Sequence, residues 1–219
     1  EEPLSRAWHT PLYRRLVPPL LQPGENTVVV RVSGMAAYQG GMAPITIGDP
    51  GRVHSRYRLE QLVRQDLQVA GVTVASVIAL FFGALWAMRP REQAYGWFAL
   101  MTFFWLLFEY NHVATEPWPL PSTDAWQAAN TCVLLAFAGC FVLFVLRYRQ
   151  RRMPRLELAL LAAIVLGCID LWTVDRAHIA LRRDLWTAAA AFTVIVAALL
   201  SGIANLLRAN LRDDDIAGR

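Results

Sequence analysis

The uncharged run from Leu67 to Met88 constrains the fold of this chain more tightly than any other feature. Its 22 residues, LQVAGVTVASVIALFFGALWAM, contain no charged side chain. At about 1.5 Å of rise per residue, a helix of this length covers a hydrocarbon layer of about 30 Å. Four comparable stretches follow it, which disfavours a helix buried in a soluble core. The sequence therefore predicts a polytopic membrane protein.

These stretches define a predicted bundle of five membrane crossings. Hydrophobic residues make up 56% of the chain and are gathered in these blocks. Pro117, Pro119 and Pro121 separate the second crossing from the third, because proline cannot continue a helix. The predicted crossings cover residues 67–88, 95–114, 125–146, 156–174 and 185–207. We expect the bundle to occupy residues 67–212 and a cytoplasmic loop to occupy residues 213–219.

Arginines are distributed unevenly over the connections, and their distribution predicts the orientation. Two arginines follow the first crossing, five the third and three the fifth, whereas none follows the second. Cytoplasmic loops carry an excess of positive charge, so we expect the N-terminal region in the periplasm and the bundle in a bacterial inner membrane. The loop after the fourth crossing carries Arg176, Arg182 and Arg183. One conflict with this orientation comes from four arginines just outside the first crossing: Arg52, Arg56, Arg58 and Arg64. We weight the short loops more heavily, because long domains are translocated largely regardless of charge.

The densest group of arginines follows the third crossing. It consists of Arg147, Arg149, Arg151, Arg152 and Arg155. We interpret this group as a topology determinant that contacts anionic lipids of the bilayer, with docking of a cytoplasmic partner as the alternative. Beyond Tyr148 no aromatic residue is interleaved with the arginines, so we do not expect nucleic-acid binding.

Aromatic residues agree with the predicted boundaries of the crossings. Trp86, Trp97 and Tyr148 lie near predicted inner ends, and Trp118, Trp126, Trp172 and Trp186 lie near predicted outer ends. Tryptophan and tyrosine are enriched at both membrane–water interfaces. Core packing is the alternative for each of them.

The region before the membrane has the pattern of β-strands. Strands are predicted at residues 12–17, 27–32 and 43–48, with a type II turn at Pro23 and Gly24 and Asn26 as a turn residue. Two or three strands do not form a stable sheet alone, so we interpret residues 1–50 as the closing strands of a sandwich. We expect the sequence to be a fragment at both of its ends.

A charged helix is predicted at residues 51–66, between the strands and the first crossing. Asp49 is a typical helix cap, and Pro50 suits the first turn. Charged residues occur every four positions in this helix, at Arg56, Glu60 and Arg64, so ion pairs can form along one face. The pattern indicates either a solvated face or a rigid rod that transmits motion to the membrane.

Four polar side chains fall inside the predicted crossings, where they are costly unless they face a cavity or a partner. They are Glu109, His112, Asn130 and Asp170. Glu109 and Asp170 lie about 21 Å from the inner ends of their crossings, and Asn130 about 8 Å below an outer end. We therefore predict an outward-facing ligand pocket between the second, third and fourth crossings. The alternative is that these residues end the helices in the headgroup region.

The residue types present argue against cofactors and catalysis. The chain contains no lysine, which excludes a retinal Schiff base, and a haem site from His112 and His178 is disfavoured because His178 is in a loop. Cys132, Cys140 and Cys168 lie in crossings without CxxC spacing, so we expect packing and neither a disulfide framework nor zinc. No phosphate-binding glycine loop or catalytic triad is present. We predict no cofactor, no metal site and no catalytic residue.

Several local sequences resemble a known receptor family. The string LLQPGENTVVVRV resembles the closing strands of galactose-binding-like jelly rolls. Together with APITIG, RPREQAYGWFAL and FVLRYRQRRMPRLE, it resembles bacterial seven-transmembrane receptors with diverse intracellular signalling modules, over residues 12–157. This resemblance implies a mostly α-helical polytopic membrane bundle preceded by the C-terminal strands of a periplasmic jelly-roll β-sandwich.

The resemblance also implies a function in signal transduction. The arginine block and the REQAYGWFAL segment look most like members that carry a sensor histidine kinase of a two-component system. The expected partners are a small-molecule or carbohydrate ligand, a second copy of the chain in a homodimer and a response regulator. A diguanylate cyclase as output domain, a membrane transporter and a membrane-bound carbohydrate enzyme are the alternatives.

Overall fold

The structure is a computed structural model that describes residues 10–17, 20–30, 32, 44–175 and 177–217. Six α-helices and one π-helical segment make up its regular secondary structure. They are α1 (Pro50–Gln61), the π-helical segment (Leu62–Asp66), α2 (Leu67–Met88), α3 (Gln93–Val113), α4 (Thr123–Tyr148), α5 (Pro154–Thr173) and α6 (Ile179–Ala217). Helices α2 to α6 overlap the five segments that the sequence predicts as crossings, and α6 extends past its predicted segment at both ends.

Four of the described helical stretches are long and apolar enough to cross a membrane. They are Pro50–Met88, Thr123–Tyr148, Pro154–Thr173 and Ile179–Leu206. Helix α3 has 21 residues but is not among them. Its tyrosines, tryptophans and polar C-terminal turn lower its hydropathy, so the second crossing stays a prediction.

Side-chain caps fix the starts of two helices. The Asp49 carboxylate accepts hydrogen bonds from the backbone N–H groups of Gly51 (3.0 Å) and Arg52 (3.1 Å), so the predicted cap of α1 is present. Arg56 and Glu60 pair at 3.1 Å, one turn apart on α1. The hydroxyl of Ser122 accepts from the N–H of Ala125 at 3.2 Å and caps α4. These bonds satisfy N–H groups that the first turn of a helix leaves free.

Helix α4 holds the bundle together. It packs against α3, α5 and α6, and α2 packs against α3. The described core is a cluster of small and aliphatic residues from α4, α5 and α6: Ala128, Leu135, Ala138, Leu171 and Ala190. Lipid tails are as apolar as the helix surfaces, so the hydrophobic effect does not drive helices together within a membrane. Small residues let the helices approach closely, and van der Waals packing then stabilises their association. Helix α2 has no buried residue, so most of its apolar surface is available to lipid.

Short connections join the helices in antiparallel order, so the bundle has two ends. We call one the Glu109 end: here α2, α4 and α6 begin and α3 and α5 finish. At the other, the Arg147 end, α3 and α5 begin and α2 and α4 finish. Helix α6 continues 12 residues beyond Asn205, to Ala217, which is about 18 Å of helix past the bundle contacts at the Arg147 end.

The predicted strands are not formed in the residues that the structure describes. Residues 12–17, 27–30 and 44–48 have no regular secondary structure, and Arg31 and residues 33–43 lie outside the described part. An extended segment forms a strand only when a neighbouring strand accepts and donates its backbone hydrogen bonds, and no described segment here pairs with another. The turn is as predicted, because Gly24 has a φ of 101° and the Asn26 amide hydrogen-bonds the backbone of Gln22. The jelly-roll sandwich stays a prediction.

Candidate functional site

The four polar residues predicted to form a pocket are divided between helix pairs. Glu109 and His112 lie one turn apart on α3, with 3.5 Å between Oε2 and Nδ1. Asp170 lies on α5 and faces α6, and Asn130 is half-buried on α4. The described contacts join Glu109 to His112 but join neither of them to Asp170. Ligand binding by the four residues stays a prediction.

Asp170 connects α5 to α6 at the Glu109 end. Its Oδ2 accepts a hydrogen bond from the indole N–H of Trp186 at 2.8 Å. The guanidinium of Arg182 lies 3.8 Å from the same oxygen. A carboxylate near the end of a membrane helix is thereby given a donor and a cation from the neighbouring helix, as such groups require.

Asn111 and Trp126 form a second polar link, which the sequence did not reveal. The indole N–H of Trp126 donates to the Asn111 side-chain oxygen at 2.7 Å, and both residues are buried. This bond joins the end of α3 to the start of α4. The sequence predicts either an interfacial position or core packing for Trp126 and Trp186, and the structure gives each of them a hydrogen bond to a neighbouring helix.

At the Arg147 end, one ion pair connects three helices. Arg147 on α4 donates through both terminal nitrogens to the two carboxylate oxygens of Glu157 on α5, each at 2.8 Å. Its Nε also donates to the side-chain oxygen of Gln93 on α3 at 3.0 Å. The Arg147 side chain is only 12% exposed, so these protein contacts occupy it. Bidentate pairs of this kind are among the strongest hydrogen-bonded ion pairs in proteins.

A neighbouring bond adds the fourth helix. Arg149 donates to the side-chain oxygen of Asn205 on α6 at 3.0 Å. We call the five residues Gln93, Arg147, Arg149, Glu157 and Asn205 the arginine hub. It joins α3, α4, α5 and α6 at one end of the bundle. Lipid contact of the remaining arginines, Arg151, Arg152 and Arg155, stays a prediction.

One residue of the hub had a signal in the sequence. Glu157 is the only acidic residue between Arg147 and Asp170, and it follows five arginines on a helix that starts at Pro154. An acid in the first turn is favourable at a helix N-terminus. Its carboxylate also accepts the N–H of Met153 at 3.0 Å. The sequence could therefore have pointed to Glu157 as a partner, but not to which arginine.

Aromatic rings connect the remaining helices to this framework. Tyr13, in the segment before α1, lies 5.1 Å from the His54 ring and 5.5 Å from the Tyr57 ring on α1. Towards the Arg147 end, Phe82 of α2 lies 4.4 Å from Phe98 of α3. Phe98 in turn lies 5.3 Å from Phe144 of α4. Such ring pairs add stabilisation beyond the area they bury.

A helical bundle whose apolar surface faces lipid and whose polar contacts gather at its two ends defines a multi-pass membrane protein. A family model for 7TM diverse intracellular signalling matches residues 65–212. The chain belongs to this family, and it is a membrane receptor module in signalling. The resemblance seen in the local sequences is thereby confirmed. No curated protein and no solved structure matched the chain. Among the described residues, no group of three or more metal-ligating side chains is present.

Proposed function

We propose that this chain is the membrane part of a bacterial sensor that carries a signal inward to a cytoplasmic output domain. The N-terminal region faces the periplasm and belongs to a jelly-roll sandwich, and the bundle lies in the inner membrane. The output domain is a histidine kinase that phosphorylates a response regulator and works as a dimer. The observation that carries the proposal is a continuous series of contacts from Tyr13 to α6.

The first step of this route is one long helix. Helix α1, the π-helical segment and α2 form 39 consecutive helical residues from Pro50 to Met88. Because Tyr13 packs on His54 and Tyr57, a displacement of the N-terminal segment is applied directly to α1. Single turns of π-helix are frequent at functional sites in helices, and this one lies where the polar part meets the apolar part.

The second step crosses the bundle. The rings of Phe82, Phe98 and Phe144 form contacts from α2 through α3 to α4. Closely packed side chains transmit displacement because a dense interior resists compression. Movement of α2 therefore reaches α4 in the half of the bundle that contains the arginine hub.

The arginine hub is the last step. Arg147 and Arg149 hold α4 to α3, α5 and α6, so a shift of α4 moves the ends of these helices together. Helix α6 then extends past the hub to Ala217. A long helix that leaves the bundle at the arginine-rich side is suited to move a domain on that side. The excess of arginines in the connections at this end supports its cytoplasmic location.

Two reporter fusions test the orientation on which this function depends. Alkaline phosphatase is active only in the periplasm, so a fusion after Arg152 should be inactive and one after Glu116 active. A fluorescent protein that matures only in the cytoplasm should give the opposite pattern. Phosphatase activity after Arg152 would overturn the proposal.

The output domain is tested in membranes that contain the full-length gene product. With labelled ATP, a histidine kinase gives a phosphoprotein whose phosphate is stable to alkali and labile to acid. A diguanylate cyclase instead converts GTP to a cyclic dinucleotide and leaves the protein unlabelled. Neither activity, together with ligand-dependent solute flux into vesicles, would favour the transporter.

A further inference from the structure

A cleft of about 220 Å³ lies between α2 and α3 at the Glu109 end of the bundle. Its lining is Gln68, Gly71, Val72, Ala75, Trp105 and Glu109. Four of these residues are on α2 and two are on α3. The pocket predicted from the sequence lay between the second, third and fourth crossings, so this cleft places Glu109 against a different helix.

The cleft has an acidic wall. The Glu109 side chain is 18% exposed, and its described ion contact is with His112, through Oε2 at 3.5 Å. The other carboxylate oxygen, Oε1, has no partner among the described contacts. Among the residues that the structure describes, no arginine or histidine lines the cleft. The His112 contact leaves Oε1 of Glu109 available, and a carboxylate at this depth gains from a further partner, so the cleft offers a place for a cation.

Trp105 supplies a second group that attracts cations. It lies four residues before Glu109, so the two side chains are neighbours on one face of α3. Its ring is held by Phe108 at 5.7 Å and by Phe137 of α4 at 5.1 Å. The face of an indole ring attracts organic cations, and desolvation strengthens the attraction. Gln68 adds an amide oxygen on the opposite helix that can accept an N–H.

Small residues on α2 provide the space. Gly71 and Ala75 lie one turn apart, and a Cβ added at Gly71 would meet no atom within 4 Å. The volume is below the range of about 300–1,000 Å³ that is usual for drug-sized ligands. The cleft therefore suits a molecule of few non-hydrogen atoms.

We propose that this cleft binds a small organic cation, a primary amine or a quaternary ammonium compound. Glu109 balances the charge of the cation, and the Trp105 ring packs against its alkyl or ammonium group. The Gln68 side-chain oxygen accepts a hydrogen bond from an N–H or O–H of the cation. The proposal rests on the proposed receptor function, because it names the ligand class of that receptor.

Binding is measured by isothermal titration calorimetry on the whole chain in lipid nanodiscs. The probes are choline, tetramethylammonium and ethylammonium, with 3,3-dimethyl-1-butanol as the neutral isostere of choline. We expect saturable binding of at least one cation and binding of the alcohol that is weaker by about tenfold or more. Absence of saturable binding by all three cations overturns the proposal.

Two variants with matched controls locate the site. Glu109→Gln keeps the size of the side chain and removes its charge, and Glu116→Gln makes the same change in the exposed loop after α3. Gly71→Leu fills the cleft, and Gly83→Leu makes the same change on α2 where a Cβ also meets nothing within 4 Å. We expect at least tenfold weaker binding for the first variant of each pair and unchanged binding for its control. Equal effects within either pair would place the cation elsewhere and overturn the assignment.

The binding test is independent of signalling. If the cation binds and the full-length protein shows no change in output, the cation is not the signal of the receptor, and the cleft assignment stands. If no cation binds while another stimulus changes the output, the cleft assignment fails and the receptor function stands.

Discussion

At the residue scale, the pair of Arg147 and Glu157 determines how the Arg147 end of the bundle is held. The guanidinium donates to both carboxylate oxygens at 2.8 Å and has little contact with solvent. A planar guanidinium matches a carboxylate in a way that the ammonium of lysine does not. Removing one partner leaves the other charge poorly solvated, and this cost exceeds the net benefit of forming the pair.

A double-mutant cycle on this pair should therefore show strong coupling. Glu157→Gln and Arg147→Gln should each destabilise the bundle by about 1.5–3 kcal/mol, since both remove hydrogen bonds to a charged group. The double variant should lose less than the sum, because neither charge remains unpaired. Unfolding in a denaturing detergent provides the free energies. Additive losses would mean that the pair does not act as a unit, and Arg91→Gln in the exposed loop before α3 is the control.

At the element scale, glycines set the distance between α4, α5 and α6. A Cβ added to Gly167 of α5 would lie 2.9 Å from Leu135 of α4 and 3.2 Å from Trp186 of α6. Leu135 belongs to the core, and Trp186 is fixed by its hydrogen bond to Asp170. Neither neighbour can move away cheaply, so these helices pack at a distance that only glycine allows.

Gly167→Leu should consequently destabilise the bundle by about 1–3 kcal/mol through overpacking. Gly202→Leu is the matched control, because a Cβ at Gly202 of α6 meets nothing within 4 Å. Both substitutions replace glycine by leucine inside an apolar helix, so the effect of helix propensity is common to them. Thermal unfolding in mild detergent should show a lower midpoint for the first variant alone. A similar loss in both would assign the effect to the helix and not to packing.

At the scale of the whole molecule, charge and lipid contact together decide orientation. The apolar stretch that includes α2 has no buried residue in its most apolar window, so it is stable only in an apolar solvent. Once the helices are in the bilayer, the positive residues of the short loops determine which side those loops occupy. Arg151, Arg152 and Arg155 are outside the side-chain contacts of the arginine hub, so they can be changed without opening it.

Changing these three arginines to glutamine, with Glu116→Arg and Pro121→Arg on the other side, should invert a fraction of the molecules. The change moves positive charge from one side of the bundle to the other, which is the quantity that the positive-inside rule follows. Phosphatase activity of a fusion after residue 152 measures the inverted fraction. Replacing the three arginines by lysine keeps the charge and should leave the orientation unchanged. Activity that stays absent in the shifted variant would show that the arginines do not set orientation.

The positions of the helices could be predicted from the sequence alone. An uncharged run of about 20 residues has few ways to satisfy its backbone in lipid other than a helix, and this is independent of its neighbours. Helix α2 accordingly has the predicted bounds, from Leu67 to Met88. The helix cap at Asp49 could also be predicted from the sequence, because it depends only on the three residues that follow Asp49. Strands depend on a partner, and the strand predictions accordingly do not hold in the described residues.

The contacts between polar groups depend on how the helices pack against one another. The sequence placed Glu109 and Asp170 at similar depths, but depth does not determine the neighbour that a side chain faces. Because α5 packs on α6, the Trp186 indole N–H donates a hydrogen bond to Asp170. Because α2 packs on α3, Glu109 lies beside a cleft. Residues 16 or more positions apart meet only after the helices have associated. A membrane bundle of the receptor family was thus predictable from the residues, because apolar length is a local property. The contacts between its polar side chains were not, because they depend on how the helices associate.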